Sequence, residues 1–145
     1  MKNAFIIALA VAFALLVTGC AEEASAQDEF RSVIEAMTDS LANLADEVDA
    51  ADDAAGVVVV LETYTGDVPP LNSRFAALQE KYQDAGIENF QENEDFAAAV
   101  TALEDANMRV IQTIIGLDDR FGDDEDVQAA AWEYIQSLSR VAEQE

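Results

Sequence analysis

Between Phe96 and Phe121 the chain places Phe96, Val100, Leu103, Val110, Ile114, Leu117 and Phe121 in alternating steps of four and three, with Asn107 at the one remaining position. That spacing puts every one of these residues on one side of an α-helix, whereas a strand repeats every two residues. It predicts a long helix presenting one continuous seam to its neighbours, and hence a bundle or coiled-coil architecture. Met108, Ile111 and Ile115 widen the face, so this helix is expected to be the most buried. Asn107 is read as a register-setting polar residue bonded to a neighbouring helix, with a ligand-gripping amide as the alternative. Gly116 weakens a helix by about 1 kcal/mol relative to Ala, and close approach of another helix is the simplest reason for it.

The same period recurs elsewhere. Phe30, Val33, Ile34, Met37, Leu41, Leu44 and Val48 form a stripe that predicts a first helix from Asp28, as N-cap, to about Ala50. The four valines at 57–60 favour a strand by propensity, but no second β-rich run offers a partner, and an unpaired apolar strand is a hazard. Val57, Val60, Leu61, Tyr64 and Val68 also fit helical spacing, with Asp52 or Asp53 as cap, so a second helix is expected. Gly66 to Pro70 should interrupt it, because Pro removes a backbone donor and clashes with the preceding turn. Helix then resumes near Pro70 with Leu71, Phe75, Leu78 and Tyr82 until Gly86, as a kinked continuation or a separate helix. Residues from Ile87 to Glu94 read as a polar connector, in which Asn93, or Asn89 a turn earlier, caps the long helix. Gly122 ends that helix, and Asp123 caps a last one carrying Val127, Ala131, Tyr134, Leu138 and Val141, with Trp132 and Ile135 at its margin. Ala97 to Ala99 and Ala129 to Ala131 would let helices approach closely.

Thirty acidic residues against seven basic ones give a net charge of −23, with no histidine. Phosphate binding needs a basic surface, so a nucleic-acid partner is excluded as a reading. The imbalance implies self-repulsion that solution cations must screen, which points to a saline medium and to stability that rises with NaCl.

The N-terminus supplies a different kind of signal. Met1-Lys2-Asn3 is a short basic segment, and the run from Ala4 to Val17 carries no charge but is too short to span a bilayer. Val17-Thr18-Gly19-Cys20 then resembles the lipobox of bacterial lipoproteins: an aliphatic residue, two small residues and the chain's single cysteine. The resemblance implies a signal peptide over residues 1–19, cleavage before Cys20, and acyl chains on Cys20 that hold the protein to a membrane. Several chains matter, since one anchors only marginally and each buried CH₂ adds ~0.8 kcal/mol. Ala21, where the family uses aspartate for inner-membrane retention, implies the outer membrane in a double-membraned bacterium. Residues 20–27 are read as the lipidated cysteine and a tether reaching at most ~25 Å when extended, and residues 28–145 as one acidic helical domain.

Chemistry-bearing patterns are scarce. Asp118, Asp119, Asp123, Asp124, Glu125 and Asp126 crowd one turn, yet with Gly122 as the sixth residue of a calcium loop Leu117 stands first and Gln128 twelfth, so both essential ligands are missing. A helix-start cluster facing the positive end of the helix dipole is the preferred reading. A lone Met37 without histidine or a Cys-x-x-Cys-His motif is no haem site. Without histidine there is no Ser-His-Asp triad, no Glu-x-x-His pair and no His-Glu-x-x-His zinc helix, and no phosphate-cradling glycine loop occurs.

The expectation is therefore an all-α, antiparallel bundle of four or five helices behind a cleaved signal peptide and short tether. The domain resembles the small helical lipoproteins of bacterial envelopes. Lipid attachment at Cys20 is its one site, with no catalytic residue, cofactor or metal. Its function is that of a non-catalytic cell-envelope structural or interaction module with an envelope protein as partner. The alternative is a binding module for cationic peptides or divalent cations at the turn from Asp118 to Asp126.

Overall fold

The computed structural model describes residues 20–83, 90 and 92–139. The expectations for the leader from Met1 to Gly19, and for Gly86, Asn89 and Val141, fall outside them. Four helices form an all-α bundle: α1 (Cys20–Ala50), α2 (Ala54–Lys81), α3 (Glu94–Phe121) and α4 (Glu125–Ser139). No strand occurs among the described residues.

The stripe expected for α1 is its core face, with Phe30, Val33, Ile34, Leu44 and Val48 buried. Its beginning differs from expectation. Residues 21–27 are not an extended tether but the first turns of α1, so Asp28 lies inside a helix and is no cap. The Ala and Glu residues there favour helix, and Ala26 is small enough to be fully buried without forming an apolar stripe. Asp28 instead accepts a hydrogen bond from Arg31 at 3.1 Å.

The valine run is helix, as its lack of a strand partner required, and Asp53 caps α2 by accepting the Gly56 N–H at 2.8 Å. The expected interruption at Gly66 to Pro70 does not occur; α2 runs on to Lys81. Pro69 and Pro70 withdraw the donors that would reach the carbonyls of Thr65 and Gly66, but both prolines and Gly66 are exposed, so water can hydrate those carbonyls. Val68, between them and the core, stays buried.

Asn93 caps α3, accepting from the N–H groups of Asp95 and Phe96 at 3.0 and 3.2 Å. The connector before it is less polar than it reads. Phe90 is fully buried, and its carbonyl accepts the Asn93 N–H. At the other end Gly122 caps α3. The cap of α4 is Asp124 rather than Asp123, accepting from Asp126 and Val127 N–H at 3.1 Å each.

α1 is the centre of the arrangement, packing against both α2 and α3, while α4 folds back onto α2 and touches α3 more lightly. α2 runs antiparallel to α1: the Tyr64 hydroxyl donates to Glu47 near one end and Lys81 to Glu29 near the other, each at 2.8 Å. α3 runs parallel to α1, with Arg31 facing Asp95 near their starts and Arg109 bonded to Asp46 near their ends. The antiparallel expectation thus holds for successive helices but not for this pair. Both the end of α2 and the start of α3 lie at the lower end of the bundle, and Phe90, between them in sequence, is fully buried there.

Two cores result. In the upper one all four helices contribute Leu44, Val48, Val57, Leu61, Val110, Leu117, Val127, Ala131 and Tyr134. In the lower one Ala26, Phe30 and Ile34 of α1 meet Tyr82, Phe90, Phe96 and Ala99, with Phe75 and Leu78 packed alongside, and α4 contributes nothing. The alanine runs behave partly as expected: Ala99, Ala130 and Ala131 are buried, Ala98 and Ala129 exposed.

Candidate functional site

The acidic turn is built around Gly122, where a Cβ would run into the Asp118 carbonyl oxygen. This close approach reverses the chain within the three residues separating α3 from α4. The carboxylates of the turn do not converge. Asp124 is committed to capping α4, and Glu125 and Asp126 occupy its first turn against the positive end of the dipole. Residues 118–124 line only an open surface depression, and among the described residues no group of three or more acidic, cysteine or histidine side chains could hold a metal ion.

Arg120 occupies this turn and is already engaged. Its guanidinium donates to the carbonyls of Ala51 and Val48 at 2.7 and 3.2 Å, and its centre lies 5.0 Å from the Phe121 ring centroid. α1 has no basic residue in its own last turn, so α3 supplies the cation that satisfies the carbonyls of its C-terminus. The acidic turn is thereby joined to the Asp52-Asp53 turn by a structural bond. Nothing in the sequence flagged Arg120, because the groups it satisfies are backbone atoms some seventy positions away in the chain.

Three further cations behave alike. Arg31 faces Asp28, Glu35 and Asp95, Lys81 binds Glu29, and Arg109 binds Asp46 with Asp49 beside it. Each of these scarce basic residues lies on α1 or reaches it. At the lower end the hydrogen bonds from Lys81 and from the Tyr82 hydroxyl hold the Glu29 carboxyl below the usual carboxylate range, while the bond to Glu29 raises Lys81. This pair is exposed, so it orients α2 on α1 without much stabilising it. In the upper half burial, then the hydrogen bond to Glu47, pushes the Tyr64 phenol up to about 12, and burial alone raises Tyr134.

The remaining candidates divide. Met37 is half-buried on the α1 core face. Asn107 is half-buried on the seam but bonds to no side chain or backbone group of a neighbouring helix among the described residues, so the register-setting bond is not there. Nothing approaches within 4 Å of a Cβ built on Gly116, which removes close helix approach as its reason. The widened face of α3 is not core: Met108 and Ile115 are 55% and 67% exposed, and Trp132 on α4 is also exposed. α3 meets α1 along one side and only lightly meets α4, so none of the other described helices covers its flank. Cys20 is the first residue of α1.

Comparison of the chain with protein-family models, with curated proteins and with solved structures finds no match.

Proposed function

We propose that this protein is a lipid-anchored module of a bacterial cell envelope, acting without catalysis by contact with another envelope protein. The observation that carries the reading is Val17-Thr18-Gly19-Cys20 behind a short basic segment and an uncharged apolar run. Cys20 bears the acyl chains, and the membrane they enter is the outer one in a double-membraned cell.

The helix supports a definite posture on that membrane. α1 begins at Cys20, and by Ala26 its residues are already in the lower core. At ~1.5 Å per residue the aromatic lower end stands roughly 10 Å from the anchor, and the acidic upper turns about 45 Å away. The module is a short post whose acidic end points away from the lipid. No helix of the described residues is long and apolar enough to cross a membrane, so the acyl chains carry the attachment in this reading.

The test is metabolic labelling. The wild type should incorporate palmitate and sediment with membranes, whereas Cys20→Ser should do neither and should keep its leader or be cut elsewhere. Normal labelling of the variant would end the proposal. Cross-linking in living cells, followed by identification of what is joined to the full chain, tests the interaction role.

A further inference from the structure

Among the described residues the large apolar side chains left exposed are Val59, Met108, Ile115 and Trp132. Val59 and Trp132 stand singly on α2 and α4, and single exposed apolar residues are ordinary. Met108 and Ile115 are not single. With half-buried Ile111 they follow spacing of three and four along the flank of α3 that none of the other described helices covers, over two turns. Glu104, four residues before Met108, and Asp119, four after Ile115, close the stripe at both ends, and both are exposed.

We infer that this stripe is the contact surface of the module, and that it receives a cationic amphipathic helix from the partner protein. The inference rests on the interaction role proposed above and names its surface. Charge selects the occupant. A second copy would set Glu104 against Asp119 if the two α3 helices met antiparallel, and each acid against its own counterpart if they met parallel. Both arrangements join like charges on chains of net charge −23. An anionic lipid surface is repelled for the same reason. A helix carrying Lys or Arg about one turn outside each end of an apolar triad meets apolar with apolar and acid with base, in either direction. Nothing in the bundle requires Met108 and Ile115 to be apolar, since neither reaches a core.

The test uses the full mature chain in mild detergent and a fluorescent synthetic helix with a leucine triad at spacing three and four, flanked by lysines one turn outside. A second peptide of equal charge replaces the leucines by glutamine. The leucine peptide should bind saturably in ~0.15 M salt, and Met108→Ser with Ile115→Ser should weaken it by about tenfold or more. Val59→Ser with Trp132→Ser should leave affinity unchanged. Glu104→Gln with Asp119→Asn should weaken binding and flatten its salt dependence. Equal affinity for the glutamine peptide, or indifference to the Met108 and Ile115 changes, would reduce the effect to bulk charge attraction and overturn the inference. So would a wild-type dimer that the Met108 and Ile115 changes dissolve, because the occupant would then be a second copy. Absence of binding by either peptide also overturns it, while palmitate labelling at Cys20 reports separately on the anchor.

Discussion

The two halves of the bundle solve one packing problem differently. In the upper half four helices meet, and the space between them is filled mainly by Val, Ala and Leu, with Tyr134 buried among them and Tyr64 and Phe121 packed alongside. In the lower half α4 no longer takes part, and three helices and the connector are filled by aromatic rings. Phe30 lies at the centre there, with ring centroids of Phe75, Phe90 and Tyr82 at 5.5, 6.0 and 6.2 Å, and Phe96 stacks edge-on to Phe90 at 5.3 Å. Fewer helices enclose the space, so larger side chains must fill it and exclude water. The electrostatic ties differ as well. Exposed ion pairs occur in both halves, Lys81 to Glu29 below and Arg109 to Asp46 above, but only the upper half adds Arg120 on the backbone carbonyls of α1. The upper half should therefore be the more rigid, and the lower half, nearer the proposed anchor, the first to open.

The sharpest way to break the contrast is at the centre of each core. Phe30→Ala should destabilise the fold by about 3–5 kcal/mol and Leu61→Ala by about 2–5 kcal/mol, both read from urea unfolding. Hydrogen exchange should separate them: Phe30→Ala should expose amides around Phe96 and Tyr82 while those of Val57 to Leu61 stay protected. Uniform loss of protection in both variants would show one indivisible core.

Alkaline titration probes the upper half through Tyr64 and Tyr134. The phenols of Tyr64 and Tyr134 are raised in the fold, whereas unfolded tyrosine ionises near ~10. The neutral form is favoured by folding, so stability is complete below pH ~10 and drains away as pH climbs toward about 12, where Tyr64 ionises. Tyrosinate absorbance should rise together with loss of helix. Ionisation of Tyr64 and Tyr134 near ~10 with the helix signal intact would contradict the packing described.

A smaller effect is expected at the tie between the halves of the chain. Arg120→Gln removes the cation from the α1 C-terminus and should lower stability by roughly 1 kcal/mol, less in high salt. An unchanged midpoint would mean that water replaces the guanidinium without loss. Smallest, and opposite in sign, is Gly116→Ala. A Cβ there meets nothing within 4 Å, so the alanine should stabilise by about 0.5–1 kcal/mol through helix propensity, measurable as a raised Tm. Destabilisation would reveal a contact absent from the bundle as described.

Much of this was readable without coordinates, because helix and cap formation are local. The period of Phe30 to Val48 assigned one face of α1, and residue type narrowed two caps to Asp52 or Asp53 and to Asn93 or Asn89, of which Asp53 and Asn93 serve. The proposed anchor rests on the linear string Val17 to Cys20 alone. Expectations failed where the deciding partner is distant in the chain. The seam on α3 was legible, but whether Met108, Ile111 and Ile115 widened it into a core depended on how many helices would surround α3, and no property of residues 94–121 contains that number. The passage of α2 through Pro69 and Pro70 depended on which side faces water. Phe90 reads as an isolated aromatic in a polar segment and is buried because Phe30, distant in the chain, meets it together with Tyr82 and Phe96. Periodicity and propensity act over a few residues and so determined the helices, their faces and most of their ends. The order of the helices around α1, the division into aliphatic and aromatic cores and the exposure of the α3 flank are decided only when all the helices compete for the same apolar surface.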